Sequence, residues 1–455
     1  MKNDTIAAIA TARGQSGVSI IKISGSDSIE IADKIFKSAN GSKIKDIEGY
    51  QALYGKIYDK DEYLDEVIVL KFTSPHSYTG EDVVEIQCHG GIYISEMILK
   101  LVLDSGASLA SPGEFTQRAY LNGKLDLTEA ESVMDIISAQ GKKAAKAALA
   151  AKDGALSKKI EKVKKELLNI ASHLSAYSDY PDEDIPGLGS ENLKDRLEEI
   201  SNDLEALLGT YEAGKIIKEG VDTVIIGKPN VGKSTLMNYL VGQEKSIVTD
   251  LPGTTRDIVE ETISLGDFIL KISDTAGIRD TNDVIEQIGV KRAKDKINTA
   301  DLIFAVFDLS RDLSTEDLEL VENVDPSKTI AILNKSDLDI KFDYKKLAKK
   351  LKRQVFISAE TGSGVKDLAA AIADIIKVEQ IDLDDGFLFN RRQFECAKKA
   401  LNSVKEALDA VQQEMTLDAI EVLIEEAIEE LLLLTGERVS EVVTNEVFSR
   451  FCVGK

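Results

Sequence analysis

The segment VDTVIIGKPNVGKSTLMNYL contains residues suited to hold a polyphosphate. It is typical of an apolar strand, a turn with Gly227 and Gly232, and a helix that begins near Lys233. Glycines let backbone N–H groups approach phosphate oxygens, and a helix N-terminus adds a favourable dipole. Residues 227–234 fit G-x-x-x-x-G-K-[ST], in which Lys233 reaches the β- and γ-phosphates and Ser234 ligates Mg²⁺. The sequence therefore predicts a P-loop.

Three further motifs, each after a predicted strand, indicate a guanine nucleotide. LKISDTAG places Asp274 near Mg²⁺ and Gly277 near the γ-phosphate, and VFISAETG adds backbone to the base pocket. IAILNKSD ends at Asp337, whose carboxylate can accept hydrogen bonds from both the N1–H and the 2-amino group of guanine. Adenine has neither an N1–H nor a 2-amino group, so these motifs together predict a site for GTP and GDP.

The group that activates water for hydrolysis is not settled by these motifs. Ras-type sites place a glutamine directly after the D-x-x-G glycine, but here Ile278 stands there. The candidates on the following segment are Asp280, Asp283 and Glu286. Positive charge could come from Arg256 or Arg279, or from a monovalent cation bound by Asn230 and the carbonyl groups of TDLPGTT.

Composition indicates several domains in a reducing cytoplasm. The chain has 455 residues, 43% of them hydrophobic, which exceeds one ordinary core. A formal net charge of −23 disfavours a protein that coats nucleic acid, although a local basic patch stays possible. The three cysteines are too scattered for a disulfide framework, and we expect neither a signal peptide nor a membrane span.

The pattern of β-rich runs and helical periodicity along the sequence predicts where the domains lie. Residues 1–120 mix short β-rich runs with helical stretches, which favours a compact α+β domain. Helical periodicity covers about 121–218 and returns over 379–455, whereas 219–378 alternates strands and helices. We expect one helical domain interrupted by an inserted α/β domain, and two separate helical domains are the alternative.

Charge is unevenly distributed in the helical regions. Residues 142–165 hold nine lysines and two acids, and residues 409–446 hold eleven acids and one arginine. We expect both to be solvated helix faces. The alternative is that the lysine-rich helix belongs to an RNA-contacting surface.

The chain ends in FCVGK, which places Cys452 where a prenylated GTPase carries its lipid acceptor. Gly454 and Lys455 do not fit the prenyl motif, so we expect no lipid anchor. The preceding SEVVTNEVFSRF predicts a short helix whose buried face would contain Val442, Val443, Val447 and Phe448. Cys452 is then either an inert packing residue or a thiol with a chemical role.

Motifs along the whole chain resemble one family. DTIAAIAT, SGVSIIKISG, SYTGEDVVEIQCHGG, SPGEFTQRAYLNGKLDLTEAE, YPDEDI, GTTRD, DTAGIRD and FCVGK occur in this order. With them the chain resembles the bacterial tRNA-modification GTPases of the MnmE (TrmE) family. Two features depart from the family pattern: Lys22 replaces an arginine, and TARGQSG replaces TPPGRGG. Lysine keeps the charge but lacks the bidentate fork of arginine.

The resemblance implies a multidomain α+β fold. Its parts would be an N-terminal α/β tetrahydrofolate-binding and dimerisation domain, an all-α helical domain in two parts, and an inserted Ras-like P-loop α/β G domain. It also implies a homodimer, and a heterotetramer with the FAD-dependent MnmG (GidA) protein that acts on tRNA. Hydrolysis of GTP, stimulated by K⁺, would accompany the addition of an aminomethyl or carboxymethylaminomethyl group to C5 of the wobble uridine. The one-carbon unit would come from a 5-formyl or methylene tetrahydrofolate.

The resemblance further implies roles for individual residues. Glu286 would orient the attacking water, and Cys452 becomes a candidate thiol in the modification step. Folate would be bound by Lys22, Glu85, Lys124 and Lys455, Mg²⁺ by Ser234 and Thr255, and K⁺ by Asn230, Thr249, Leu251 and Thr254. The complete predicted nucleotide site is Asn230, Val231, Gly232, Lys233, Ser234, Thr235, Thr249, Asp250, Leu251, Pro252, Gly253, Thr254, Thr255, Asp274, Thr275, Ala276, Gly277, Asn334, Lys335, Asp337, Ser358 and Ala359.

A ribosome-assembly GTPase without modifying activity is the alternative function. Such switches share GKPNVGKST and GTTRD with this chain, but they carry an RNA-binding module after the G domain. Here the chain continues into acidic helices and FCVGK, which disfavours that alternative.

Overall fold

The computed structural model describes residues 4–179, 190–243, 260–266, 268–274, 296–376 and 383–455. The chain forms two compact units. One comprises Met1–Ile137, Ala151–Glu205 and Glu395–Lys455, and the other comprises Ser138–Ala150 and Ala206–Phe394. The chain thus leaves the first unit and returns to it, so an α/β domain is inserted in the helical part of the chain. The four predicted domain boundaries stay a prediction.

The first unit contains a mixed sheet whose strands follow the β-rich runs of the sequence. They are β1 (Ile6–Ile9), β2 (Val18–Ser24), β3 (Phe36–Ser38), β4 (Gln51–Asp59), β5 (Glu62–Phe72), β6 (Val83–His89) and β7 (Ser108–Leu109). Their order is β3-β4-β5-β6-β2-β1-β7. Neighbouring strands are antiparallel, apart from the parallel pair of β1 and β7.

The described residues of the two units contain fifteen α-helices. They are α1 (Ser28–Ile35), α2 (Ile92–Asp104), α3 (Glu114–Leu121), α4 (Leu127–Ser138), α5 (Lys142–Lys152), α6 (Ala155–Asp179), α7 (Ser190–Leu208), α8 (Tyr211–Glu219), α9 (Lys233–Gln243), α10 (Thr315–Glu322), α11 (Tyr344–Ala348), α12 (Val365–Ile376), α13 (Arg391–Gln412), α14 (Leu417–Thr435) and α15 (Glu441–Ser449).

The N-terminal sheet has two different faces because side chains alternate along each strand. Ile21 and Ile23 of β2 lie in the main core, which α1 and α2 cover. Lys22, between them, points to the opposite face. That face carries a smaller buried cluster that includes Ile6 and Phe115. A cation therefore lies on the less densely covered side of the sheet.

The helical part of the first unit is built from amphipathic helices. Leu156, Ile160, Val163 and Leu167 of α6 are buried at helical spacing, and α6 packs along α14. Several lysines of this region form ion pairs, such as that of Lys162 with Asp203 at 2.9 Å. Lys162 thus lies on the outer face of α6, in keeping with a solvated helix face, whereas Lys164 is buried and pairs with Glu161 and Glu437.

Helix α15 buries a different face from the one predicted. Thr444 and Phe448, one turn apart, are buried, and Val447 is partly buried beside them. Val442 and Val443 are instead 77% and 37% exposed. The prediction for these two valines was wrong because, at about 100° per residue, Val442 and Val443 lie about 200° and about 100° around the helix axis from the buried Thr444.

The second unit contains a six-stranded sheet. Its strands are β8 (Val221–Ile226), β9 (Glu260–Leu265), β10 (Phe268–Asp274), β11 (Leu302–Asp308), β12 (Thr329–Asn334) and β13 (Gln354–Ile357), in the order β13-β12-β11-β8-β10-β9. Only the pair of β9 and β10 among these described strands is antiparallel.

The central strands of this sheet are buried along their whole length. Every residue of β11 and β12 is buried, as expected for parallel strands covered on both faces. The carboxyl ends of the parallel strands lie along one edge, where ligands bind in open α/β sheets. The predicted nucleotide motifs follow these strand ends, so this unit has the P-loop G-domain fold. Among the described residues, no helix is long and apolar enough to cross a membrane.

Candidate nucleotide site and C-terminal tail

The P-loop connects β8 to α9, as predicted, and its backbone depends on glycine. Gly227 and Gly232 have φ of +152° and +97°, and a Cβ on either would collide with neighbouring atoms. The Lys233 ammonium donates to the carbonyl oxygens of Gly227 and Lys228, both at 2.8 Å. Ser234 is exposed in the first turn of α9. The loop therefore presents backbone N–H groups and a lysine at a helix N-terminus.

One buried amide connects three of the predicted loops. Asn334 is 2% exposed at the end of β12. Its Nδ2 donates to the carbonyl oxygen of Val231 at 2.9 Å, and its Oδ1 accepts from the N–H of Ala359 at 3.0 Å. This residue therefore fixes the distance between the P-loop and the predicted base pocket.

The turn after β12 presents the predicted base-recognition carboxylate. Asp337 is exposed, whereas the backbone around it is held in place. The Ser336 N–H donates to the carbonyl of Ile357, and the Leu338 N–H donates to the carbonyl of Lys335, both at 3.1 Å. The structure thus brings Asn230, Val231, Gly232, Lys233, Asn334, Lys335, Asp337, Ser358 and Ala359 to one edge of the sheet.

Part of the predicted site lies outside the described residues. This part contains Thr249, Asp250, Leu251, Pro252, Gly253, Thr254, Thr255, Thr275, Ala276, Gly277 and Glu286, together with Arg256, Ile278, Arg279, Asp280 and Asp283. Asp274 ends β10, where its backbone pairs in register with Ile225 of β8. The strand that carries the predicted Mg²⁺ carboxylate is therefore adjacent to the strand that leads into the P-loop.

Two acidic residues that the sequence analysis missed lie behind these loops. Asp317 is 3% exposed and accepts from the Lys228 ammonium at 2.8 Å, while it caps α10 together with Ser314. Asp308 ends β11 and accepts from the Lys335 ammonium at 2.6 Å. An acid directly after six apolar residues, in LIFAVFD, was the available signal for Asp308.

Two predicted folate residues form an ion pair on the N-terminal sheet. Lys22 and Glu85 lie opposite each other in β2 and β6, with Nζ and Oε1 separated by 3.7 Å. Their side chains are only 13% and 22% exposed, unlike ordinary charges on a strand surface. The ammonium also lies 5.4 Å and 5.5 Å from the ring centroids of Tyr78 and Phe115.

The environment of Lys22 disfavours its charged form. Burial lowers the pKa of Lys22, the Glu85 carboxylate opposes this shift, and the nearby Lys455 ammonium reinforces it. The last residue of the chain is therefore close enough to Lys22 to act on it electrostatically. Lys124, the fourth predicted residue, donates to the carbonyl of Pro75 at 3.1 Å.

A cleft of about 430 Å³ lies beside Lys124. It is lined by residues at the end of α3, in the turn that follows and at the start of α4, and by Thr435, Gly436 and Glu437 at the end of α14 and directly after it. Glu437, one of the lining residues, accepts from the Lys164 ammonium at 2.6 Å, and Glu161 does so at the same distance. Burial would raise the pKa of Glu437, but hydrogen bonds from Lys164 and Thr435 outweigh it and hold the pKa below its usual range.

The C-terminal tail is fixed to the N-terminal part of the first unit. Phe448 and Phe451 are buried against Leu127, Ala130 and Val133. The Gly113 N–H donates to the carbonyl of Cys452 at 3.3 Å. Gly454, at φ +95°, lies so close to β1 that a Cβ would be 2.6 Å from the carbonyl oxygen of Ile9. The tail therefore follows the end of β1 and brings its last residue near Lys22.

The cysteines of this unit differ in accessibility. Cys452 is exposed, so it is not a buried packing residue. Cys88 is buried in β6, and burial, together with the Asp65 carboxylate, raises its pKa to about 11. A thiol with so high a pKa is a poor nucleophile near neutral pH. Cys452 is therefore better placed for chemistry than Cys88.

Comparisons with known proteins cover the whole chain. The model described as "GTP-binding protein TrmE N-terminus" matches residues 5–124, and that of the "MnmE helical domain" matches residues 127–452. Proteins named "tRNA modification GTPase MnmE" from Clostridioides difficile (strain 630) and Alkaliphilus metalliredigens (strain QYMF) are 41% and 42% identical. Each alignment spans 100% of this chain and 99% of the relative. This chain belongs to the MnmE family.

The MnmE helical-domain match also explains the discontinuous units. It extends across both helical regions, with the nucleotide-binding sheet between them. Among solved structures, the Era protein of Aquifex aeolicus is 28% identical over 40% of this chain and 66% of that protein, with a TM-score of 0.28. The G domain of this chain is defined by its own strand order and P-loop geometry, and not by the match to Era.

Proposed function

We propose that this chain is a GTP-hydrolysing enzyme of tRNA modification. With the FAD-dependent MnmG (GidA) protein it would install an aminomethyl or carboxymethylaminomethyl group at C5 of the wobble uridine. The observation that carries the proposal is the docking of the C-terminal tail: the carbonyl of Cys452 accepts from the Gly113 N–H, Gly454 lies against Ile9 of β1, and Lys455 acts electrostatically on Lys22. The full-length relatives named tRNA modification GTPase MnmE support the same activity.

Guanine is the base that the nucleotide loops support best. The exposed Asp337 carboxylate can accept from the N1–H and 2-amino groups, and Asn334 fixes its loop relative to the P-loop. For Mg²⁺, Ser234 offers a hydroxyl at the start of α9, and Asp274 ends the strand beside β8. Thr255, the other proposed Mg²⁺ ligand, lies outside the described residues.

We propose K⁺ as the cation that accelerates hydrolysis. Asn230 is exposed at φ +64° in the P-loop, where its side-chain oxygen is available as a hard ligand. The proposal adds oxygen ligands from Thr249, Leu251 and Thr254. A cation at this place would stabilise negative charge that develops on the phosphates, in the role of an arginine finger. Glu286 would orient the attacking water.

The N-terminal surface suits a folate, which has a flat ring system and carboxylates. Lys22 and Glu85 are mostly buried next to the rings of Tyr78 and Phe115, so they offer a donor, an acceptor and apolar contact at one place. Lys455 and Lys124 add positive charge for the carboxylates. A tetrahydrofolate derivative, in the 5-formyl or methylene form, would supply the one-carbon unit.

In this scheme the protein positions a thiol at the folate surface. Gly113 holds the backbone of Cys452, and the side chain of Cys452 is exposed. The thiolate is the nucleophilic form of cysteine, so Cys452 is proposed as the chemical group of the tail. The proposal also includes a homodimer formed by the N-terminal domains, a heterotetramer with MnmG, and a cytoplasmic location.

Reconstitution tests the proposed function. The full chain is combined with the flavin partner, GTP, a tetrahydrofolate derivative and unmodified tRNA, and the digested nucleosides are analysed by mass spectrometry. The expected product is a wobble uridine with the added mass, formed only in the complete mixture. GTP turnover with unmodified tRNA, and no spectroscopic sign of reduced-folate binding, would instead favour an assembly GTPase.

A further inference from the structure

Asp308 is a buried acid in the middle of the nucleotide-binding edge. It is the last residue of β11, and its backbone lies directly opposite Asn334 of β12. Its side chain is 3% exposed. A carboxylate buried to this extent is unfavourable unless charged or polar groups compensate it. Its partners therefore identify what it does.

Each oxygen of Asp308 has a different partner. Oδ1 accepts from the backbone N–H and the hydroxyl of Ser310 at 3.0 Å and 2.6 Å. Oδ2 accepts from the Lys335 ammonium at 2.6 Å, and Arg311 Nε lies 3.3 Å away. Burial would raise the pKa of Asp308, but the hydrogen bonds from Lys335 and Ser310 outweigh it and lower the pKa. Asp308 is thus an anion at neutral pH.

The lysine that Asp308 holds connects two nucleotide loops. Lys335 Nζ also lies 3.4 Å from the carbonyl oxygen of Asn230 in the P-loop. Both Lys335 and Asn230 have φ of +64°, a left-handed conformation that is uncommon for a residue with a side chain and that asparagine adopts more readily than lysine. Such a conformation persists where surrounding contacts impose it. The ion pair with Asp308 is the shortest of the described contacts at Lys335.

Lys335 in turn begins the tight turn that carries Asp337. Its carbonyl accepts from the N–H of Leu338 at 3.1 Å, which closes the turn around Asp337. We propose that Asp308 is a positioning residue for guanine recognition, which holds Lys335 so that the Asp337 carboxylate can reach both the N1–H and the 2-amino group. The inference rests on the guanine site of the proposed function. In this role Asp308 acts through its contact with Lys335.

The test compares two nucleotides that differ only in the 2-amino group. GDP and IDP are titrated against the full-length protein and its Asp308→Asn variant. Wild type is expected to prefer GDP about tenfold or more, since a hydrogen bond to a charged group is worth about 1.5–3 kcal/mol. Asp308→Asn is expected to reduce this preference at least threefold. An equal loss of affinity for both nucleotides, or no loss, would overturn the positioning role.

Asp325→Asn is the matched control. Asp325 accepts from the N–H and hydroxyl of Ser327 at 2.8 Å and 2.7 Å, the same local contacts that Asp308 makes with Ser310. It lies in an exposed turn before β12. The control should keep the wild-type preference for GDP. If it lost the preference to the same extent, the effect would come from removal of any acid in this unit and the inference would fail.

Two further variants separate positioning from folding. Asp308→Asn combined with Asp337→Asn should show no greater loss of preference than Asp337→Asn alone, because both act on one interaction. Additive losses would contradict the inference.

A second variant is used if Asp308→Asn does not fold. Ser310→Ala keeps the charge of Asp308, removes one hydrogen bond to its Oδ1, and should reduce the preference for GDP over IDP by a smaller factor. An unchanged preference in Ser310→Ala would then contradict the inference. Failure of wild type to bind either nucleotide would instead contradict the guanine site itself.

Discussion

The nucleotide site and the tail region are built in opposite ways. In the nucleotide site, short contiguous motifs follow neighbouring strands of one sheet, and the side-chain amide of Asn334 bonds backbone groups of the P-loop and of the 358–363 loop. The tail region joins Lys22 to Lys455, from opposite ends of the chain, through packed aromatic residues and charge. A site of local motifs therefore depends on backbone geometry, whereas a long-range site depends on the docking of distant segments.

Because the two sites use different parts of the chain, a change in one should leave the other intact. The strongest test is Cys452→Ser. It should abolish uridine modification in the reconstituted system, because a serine hydroxyl is a far weaker nucleophile than a thiolate. GTP turnover and the melting temperature should stay near wild type, since Cys452 is exposed. Cys396→Ser is the control, and full modification by Cys452→Ser would leave the thiol without a chemical role.

The next test acts on hydrolysis alone. Glu286→Ala should lower GTP turnover by about 100-fold, the scale of a residue that activates water, with nucleotide affinity nearly unchanged. Wild-type turnover should also be faster in KCl than in NaCl at equal ionic strength. Steady-state turnover and direct titration measure the two effects. Equal rates in both salts would remove the cation from the proposal, and lost GTP binding would make Glu286 a structural residue.

Base recognition provides a third, smaller effect. Asp337→Asn replaces two acceptor oxygens by one acceptor and one donor, so it should weaken GDP binding by about 10–100-fold, or about 1.4–2.8 kcal/mol. Titration of GDP measures it. The exposed position of Asp337 predicts little change in melting temperature. Unchanged affinity would show that another group reads the base, and the nucleotide site would then be less local than its motifs indicate.

The smallest effect tests tail docking. Gly113 and Gly123 have nearly the same φ, +70° and +68°, so alanine should cost each about 1–2 kcal/mol of strain. A Cβ on Gly113 would also lie 2.7 Å from the carbonyl oxygen of Phe448, whereas Gly123 has open space. Gly113→Ala should therefore reduce modification about tenfold relative to Gly123→Ala, with GTP turnover equal in both. Equal modification by the two variants would show that the tail does not need this contact.

The sequence predicted the G domain in more detail than the N-terminal surface. GKPNVGKS and NKSD are local signals, and their backbone conformations follow from glycine content and position after a strand, as the φ of Gly232 illustrates. Periodicity located α15, but it did not identify the buried face, so Val442 and Val443 were placed wrongly. A short helix with apolar residues on several sides does not specify which of them meets the core.

Residue types at fixed local spacing were sufficient to predict the P-loop and a guanine nucleotide, and periodicity was sufficient to predict the insertion of an α/β domain. The burial of Lys22 and Glu85, the exposure of Cys452 and the ion pair of Asp308 with Lys335 follow instead from the folded structure. These properties depend on which residues meet across strands and between distant segments. Burial and ion pairing are set by packing, and local sequence contains little information about packing partners that lie tens to hundreds of residues away.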